Sequence, residues 1–134
     1  MTVPRILIVD DERPNRDLLE AMLAPEGYCV ESIVSGEEAL ARITEEPPDL
    51  ILLDGLMPHM DGYELTARIK ANPATRDIPI IMISGSDESD ARLRMLRGAV
   101  DDFLPKPVDR ADLCARVRML LRFHPPPPPS PVTA

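Results

Sequence analysis

Five polar residues of this sequence follow apolar runs, at points where a chain often places reactive groups. They are Asp10, Asp11, Asp54, Ser84 and Lys106. Three carboxylates about 5 Å apart would repel one another by roughly 3 kcal/mol per pair at an effective dielectric constant near 20. One lysine cannot offset that repulsion, whereas a divalent cation can, and ligands that are all oxygen favour Mg²⁺ or Mn²⁺. Carboxylates, a hydroxyl and an ammonium around such a cation suit the handling of a phosphoryl group.

Asp54 has the most informative surroundings of the five. The residues Leu50–Leu53 form a continuous apolar run, and turn residues such as Gly55 and Pro58 come after it. This pattern predicts a strand that is buried on both faces, as in a parallel sheet. Open α/β sheets bind their ligands at the carboxyl ends of such strands. A charged residue is rare at the end of a buried strand unless it is paired with another group or takes part in a reaction.

The elements that position these residues alternate along the chain. Apolar runs predict five strands, and each is followed by helical spacing with a capping or turn signal, such as the capping box that begins at Ser35. This alternation predicts a five-stranded parallel sheet with five helices on both faces, a flavodoxin-like doubly wound α/β fold. The predicted strands are Ile6–Val9, Tyr28–Val34, Leu50–Leu53, Ile78–Ile83 and Val100–Leu104. The fourth helix is predicted to begin after Asp87 and the last after Asp109.

Length and composition exclude several classes of protein. The 134 residues are enough for one domain, which we assign to residues 1–123. Residues 124–134 contain an unbroken run of prolines and are expected to be an extended tail or the start of a linker. The net charge of −8 argues against direct binding to nucleic acid or to an anionic membrane. No apolar stretch is long enough to cross a bilayer, so a cytoplasmic location is expected, with both cysteines reduced and at least half-buried.

Taken together, these motifs resemble the receiver domain of two-component response regulators. The resemblance rests on the acid pair after the first strand and on the pattern D-x-x-M-P-x-x-D-G that begins at Asp54. It also rests on a hydroxyl residue that ends the fourth strand, Ser84, and on Lys106-Pro107 after the fifth. Each motif is weak alone, but all of them in this order are specific, and they cover roughly residues 5–122.

The resemblance implies a role for each of these positions. Asp54 is the phosphoacceptor, which takes a phosphoryl group from a sensor histidine kinase or a phosphotransfer protein. Asp11 and Asp54 bind Mg²⁺ (or Mn²⁺) together with the backbone carbonyl of Leu56, while Asp10 acts through a metal-bound water. Lys106 contacts a phosphoryl oxygen.

The resemblance also implies how the signal leaves the site. Ser84 and Phe103 are the switch residues, and the bond between Lys106 and Pro107 is cis. The surface of the fourth helix, fifth strand and last helix controls an output domain or effector protein. We expect phosphorylation to enhance formation of a homodimer through this surface, with Asp101, Asp102, Arg116 and Arg118 as solvated charges available to pair across it. The chain itself is then no enzyme beyond Mg²⁺-dependent self-phosphorylation and self-dephosphorylation.

Three other functions fit the sequence less well. A phosphohydrolase of the haloacid dehalogenase type needs a second aspartate two residues after the nucleophile, where this chain has Leu56. A flavodoxin-like cofactor site needs a phosphate-binding loop after the first strand, where Asp10 and Asp11 would repel phosphate. A scaffold without phosphotransfer would not need the complete acid set. The sequence leaves open whether the chain acts alone or is the first part of a longer regulator.

Overall fold

The structure is a computed structural model that describes residues 3–55, 57, 60–84 and 100–123. Five parallel strands form one sheet in the order β2-β1-β3-β4-β5. This confirms the predicted α/β fold. The strands are β1 (Arg5–Val9), β2 (Cys29–Ile33), β3 (Leu50–Asp54), β4 (Ile80–Ser84) and β5 (Asp102–Pro105). The helices among the described residues are α1 (Arg13–Leu23), a short 3₁₀ turn (Ala24–Glu26), α2 (Gly36–Glu45), α3 (Gly62–Ala71) and α4 (Arg110–Phe123).

Two predicted segments lie outside the described residues. The predicted helix after Asp87 falls within residues 85–99, and the proline-rich segment falls within residues 124–134. The described part of the chain therefore contains four of the five expected helices. The last of them, α4, corresponds to the fifth helix expected from the sequence.

The strands alternate between two apolar clusters, one on each face of the sheet. Because side chains of a strand point alternately to opposite faces, neighbouring residues such as Leu52 and Leu53 enter different clusters. The helices α2 and α3 cover one face, through residues such as Ile43 and Ile69. The helices α1 and α4 cover the other, through residues such as Leu19. All five residues of β3 are buried, as expected for the central strand of a doubly wound sheet.

The helix starts follow their sequence signals. The side chain of Ser35 accepts a hydrogen bond from the amide of Glu38, which confirms the predicted cap of α2. The side chain of Asp61 accepts from the amide of Glu64 at 2.9 Å, so Asp61 caps α3. Asp109 accepts from the amide three residues later at the start of α4. These caps fix the residue at which each of the three helices begins.

Two expectations about individual side chains were wrong. Cys29 is exposed on the edge strand β2 rather than half-buried, while Cys114 is buried, and both are free thiols. Asp102 and Arg116 are not simply solvated, because they form an ion pair with each other at 2.5 Å. Arg116 also pairs with Asp112 on the same helix. Within the described residues, no helix is long and apolar enough to span a membrane.

Candidate functional site

The register of the sheet brings the predicted site residues to one edge. In the pairing of β3 with β4, Asp54 stands opposite Ile83, and Ser84 follows opposite Pro105 of β5. Beyond the strands, the amide of Asp10 donates to a carbonyl of β2, and the amide of Lys106 donates to the carbonyl of Ser84 at 2.9 Å. The ladders therefore continue one residue past β1 and β5. This continuation fixes the main chain on which Asp10 and Lys106 are carried.

The three predicted acids form a compact group. Carboxylate oxygens of Asp10, Asp11 and Asp54 all lie within 4.8 Å of one another. Asp10 is 3% exposed and Asp54 is 4% exposed, whereas Asp11 is exposed to solvent. The ammonium of Lys106 donates to Oδ1 of Asp54 at 3.1 Å. A pocket with two buried acids and one open acid can receive a cation from solvent.

The electrostatics of the pocket reflect this crowding. Burial raises the pKa of Asp10 from 3.8 to about 6, against the lowering effect of a hydrogen bond from the amide of Glu12. The charge of Asp54 contributes to this rise, and the charge of Lys106 opposes it. Burial lowers the pKa of Lys106, but its hydrogen bond to Asp54 and the nearby acids outweigh burial, so the pKa stays above its usual value. The pocket thus favours a bound positive charge.

The loop between β1 and α1 is held by contacts that the sequence analysis did not predict. Oδ1 of Asp10 accepts from the amide of Glu12 at 2.9 Å. The guanidinium of Arg16, on α1, donates to the backbone carbonyl of Asp10 at 2.9 Å. The side chain of Asn15 donates to the carboxylate of Glu12 at 3.2 Å. No pattern of residue types signals these contacts, since they depend on the path of the loop.

The start of α3 packs directly against the end of β3, where Asp54 lies. A Cβ atom added at Gly62 would lie 2.4 Å from the backbone carbonyl oxygen of Asp54. Glycine is therefore required at this position for the close approach of the two backbones. Met57 and Met60 are buried in the cluster on the α2 and α3 face. Leu56, whose carbonyl was predicted to bind the metal, lies outside the described residues.

The predicted switch residues lie on the neighbouring strands β4 and β5. Ser84 is the half-buried last residue of β4. Phe103 lies on β5 opposite Met82 and packs, partly buried, against the α2 and α3 cluster. The bond between Lys106 and Pro107 is cis, as predicted.

The residues present fit a hard divalent cation. The group contains carboxylates only, and oxygen ligands at close spacing suit Mg²⁺ better than Zn²⁺, which favours histidine and cysteine. The solvent-exposed Asp11 gives the pocket an open side, which suits a cation that keeps several waters.

Comparison with known proteins agrees with this geometry. The sequence model of the family "response regulator receiver domain" matches residues 6–118. The chain belongs to the response regulator receiver family. It is 45% identical over 119 residues to the response regulator PleD of Caulobacter vibrioides, covering 89% of this chain and 26% of PleD. It is 39% identical over 120 residues to the phosphate regulon regulator PhoB of Rhizobium meliloti, covering 90% of this chain and 53% of PhoB. This receiver therefore spans between about a quarter and about half of these curated relatives.

Solved receiver structures share the fold over nearly their whole length. A response regulator from Chloroflexus aurantiacus superposes with a TM-score of 0.84 at 35% identity, covering 90% of this chain and 99% of that one. The receiver domain of a signal transduction histidine kinase from Syntrophus aciditrophicus gives a TM-score of 0.86 at 32% identity, covering 98% of this chain and all of that one. Receiver domains of this family take part in two-component signalling with histidine kinases and output domains.

Proposed function

We propose that this receiver is a Mg²⁺-dependent phosphoacceptor whose Asp54 takes a phosphoryl group from a phosphohistidine of a sensor kinase or phosphotransfer protein. The observation that carries the proposal is the position of Asp54. It is a buried carboxylate within 4.8 Å of the oxygens of Asp10 and Asp11, with the ammonium of Lys106 at 3.1 Å.

The carboxylate of Asp54 is the nucleophile in this proposal. One of its oxygens forms a bond to phosphorus as the phosphorus–nitrogen bond of the phosphohistidine breaks, and the imidazole leaves with the electron pair. Mg²⁺, when bound by Asp11 and Asp54 and through a water by Asp10, would neutralise charge on the phosphoryl oxygens. The carbonyl of Leu56 completes this ligand set by resemblance to the family. Lys106 neutralises the charge that develops on a phosphoryl oxygen.

The positions of Lys106 and Ser84 support roles for both in this reaction. Lys106 already donates to Asp54, so its ammonium needs little movement to reach a group attached to that carboxylate. Ser84 is the last residue of β4, the strand that pairs with the end of β3 at Asp54. The carbonyl of Ser84 accepts a hydrogen bond from the amide of Lys106. We propose that the hydroxyl of Ser84 donates to the acyl phosphate and that Phe103 then packs further inward.

The response is proposed to reach the surface formed by β5, α4 and the predicted helix within residues 85–99. Phosphorylation adds up to two negative charges and several strong acceptors, enough to bias a two-state element. An output domain or effector protein would read this surface, and self-association through it remains a prediction. A monomer at high concentration by sedimentation, with and without phosphorylation, would rule out the homodimer.

The type of output is also a proposal. One curated relative, RpaA of Synechocystis, is named as a DNA-binding transcriptional regulator, and this chain covers 50% of it. We propose that any contact with DNA belongs to a segment beyond the receiver, because the net charge of −8 argues against direct binding of nucleic acid by this chain. We further propose that the receiver is no turnover enzyme and only phosphorylates and dephosphorylates itself.

The test is to incubate the protein with acetyl phosphate and to measure its intact mass. We expect one added phosphoryl group on Asp54 with Mg²⁺ and none in EDTA. Asp54→Asn should remove this label, whereas Asp17→Asn, at an exposed acid of α1, should leave it unchanged. Equal labelling of Asp54→Asn, or full labelling in EDTA, would refute the proposal.

A further inference from the structure

The loop after β1 supplies two of the three acids, and its first residue is fixed by three hydrogen bonds. The amide of Asp10 donates to the carbonyl of Ile33 on β2 at 3.1 Å. The side chain of Asp10 accepts from the amide of Glu12, and its backbone carbonyl accepts from the guanidinium of Arg16. The first two contacts hold the entry to the loop and the carboxylate. Of these three bonds, the one from Arg16 is the one that holds the peptide joining Asp10 to Asp11.

That peptide determines how the two acids are presented. A peptide unit is planar, so the carbonyl of Asp10 and the α-carbons of Asp10 and Asp11 lie in one plane. A hydrogen bond that fixes the direction of the carbonyl therefore fixes the plane from which both side chains extend. A hydrogen bond from a charged donor holds such a plane more firmly than one from a neutral donor.

Arg16 is carried by a rigid element. It lies in the first half of α1, and its amide donates to the carbonyl of Glu12 at 3.2 Å. The same helix buries Leu19 and Leu23 against the sheet. The half-buried side chain of Arg16 reaches back past the start of the helix to the end of β1. It thus connects the packed helix with the loop that carries the acids.

We propose that Arg16 is a positioning residue for the site of the divalent cation. Arg16 holds the peptide between Asp10 and Asp11 in the orientation that aims both carboxylates into the pocket. This inference rests on the proposed function, because it assigns Arg16 to the support of the same cation site. Groups that orient metal ligands without touching the metal typically change metal affinity 10–100-fold when they are removed.

Charge and position predict opposite results for the loss of Arg16. If the guanidinium acted only as a nearby positive charge, its removal would relieve repulsion of Mg²⁺ and strengthen binding. If it positions the loop, its removal weakens binding, because both acids lose their fixed orientation. The sign of the change in Mg²⁺ affinity therefore separates the two roles.

The experiment is a calorimetric titration of the full chain with MgCl₂. We expect Arg16→Met to bind Mg²⁺ about tenfold more weakly than the unmodified protein. Arg16→Lys keeps the charge and a donor but replaces the planar guanidinium with a single ammonium, so its affinity should fall between the two. Arg13→Met is the matched control, because Arg13 is an exposed arginine of the same helix that pairs only weakly with Asp17 at 3.6 Å. Its affinity should be unchanged or slightly higher.

A second measurement separates positioning from a general loss of structure. The amide of Asp11 belongs to the same peptide as the carbonyl that Arg16 contacts, so its NMR resonance should shift in metal-free Arg16→Met and not in Arg13→Met. Urea unfolding shows whether each variant is folded. If Arg16→Met is not folded, the Mg²⁺ affinity of Arg16→Lys is used for the test instead. Mg²⁺ binding by a folded Arg16 variant that equals or exceeds that of the unmodified protein would overturn the inference alone. Absence of Mg²⁺ binding by the unmodified protein would overturn the proposed function with it.

Discussion

Asp10→Asn should make the protein more stable when divalent cations are removed. Asp10 is 3% exposed, and burial raises its pKa to about 6 against the hydrogen bond from the amide of Glu12. Near pH 7 its carboxylate is ionised, buried and close to the charge of Asp54. Asparagine keeps an oxygen that accepts from the amide of Glu12 and removes the charge.

The size of the effect follows from the pKa. A rise in the pKa of Asp10 from 3.8 to about 6 lowers the free energy of unfolding at neutral pH by about 3 kcal/mol. A buried amide has its own desolvation cost of about 1 kcal/mol when it is partly hydrogen-bonded. We therefore expect Asp10→Asn to raise the free energy of unfolding by about 2 kcal/mol in EDTA.

The sign of the pH dependence provides a second check. Because folding raises the pKa of Asp10, its contribution to stability is fully present below the unfolded value of 3.8 and is lost as the pH rises through about 6. The advantage of Asp10→Asn should accordingly be absent near pH 4, where the cost of the buried amide is no longer offset, grow between pH 4 and 6, and level off above that range. Comparing the two proteins at each pH cancels the titration of other acids.

The assay is urea unfolding followed by circular dichroism, with EDTA or with MgCl₂. Mg²⁺ should stabilise the unmodified protein more than Asp10→Asn, since only the former has the full acid group. Asp17→Asn, at an exposed acid of α1, is the control and should change stability by less than about 0.5 kcal/mol. If Asp10→Asn is no more stable than the unmodified protein in EDTA near pH 7, then burial of the ionised Asp10 carboxylate does not destabilise the fold.

Two further substitutions test packing by the same unfolding assay, the first beside Asp54 and the second near the opposite end of α3. Gly62→Ala should lower stability by about 1–3 kcal/mol, because the new Cβ would meet the carbonyl of Asp54 at 2.4 Å, and a loss below 0.5 kcal/mol would show that the loop yields easily. Thr75→Val should cost about 1–2 kcal/mol, because the buried hydroxyl donates to a carbonyl at the end of α3, whereas Thr44→Val, whose hydroxyl makes the same kind of bond on the surface of α2, should be nearly neutral. Equal losses for both threonines would contradict this distinction.

Most of the site could be predicted from the sequence because a parallel sheet brings the carboxyl ends of its strands together at one edge. Once the apolar runs are assigned to parallel strands, the residues after them must meet at one edge. Asp10, Asp54 and Lys106 follow such runs, and the structure brings them together. Prediction succeeded where one residue type at one strand end was sufficient to place a group.

The supporting contacts could not be predicted because they join side chains to the main chain. The bond from Arg16 to the carbonyl of Asp10 depends on the path of a three-residue loop, which no side-chain pattern specifies. The exposure of Cys29 depends on the position of β2 at the edge of the sheet, which follows from strand order rather than from the apolar run. Similarly, the pairing of Asp102 with Arg116 requires knowing that α4 packs beside β5.

That pairing connects α4 to the predicted switch residue Phe103. Oδ1 of Asp102 accepts hydrogen bonds from both the guanidinium of Arg116 and the amide of Phe103, so one carboxylate oxygen joins α4 to the main chain of β5. A homodimer that used Arg116 to bind an acid of its partner would compete with these bonds, and exposed ion pairs return less than about 1 kcal/mol each. Self-association through this face would therefore have to draw on apolar contact. Met119 and Phe123, both exposed on α4, are the described residues of this helix that can supply it.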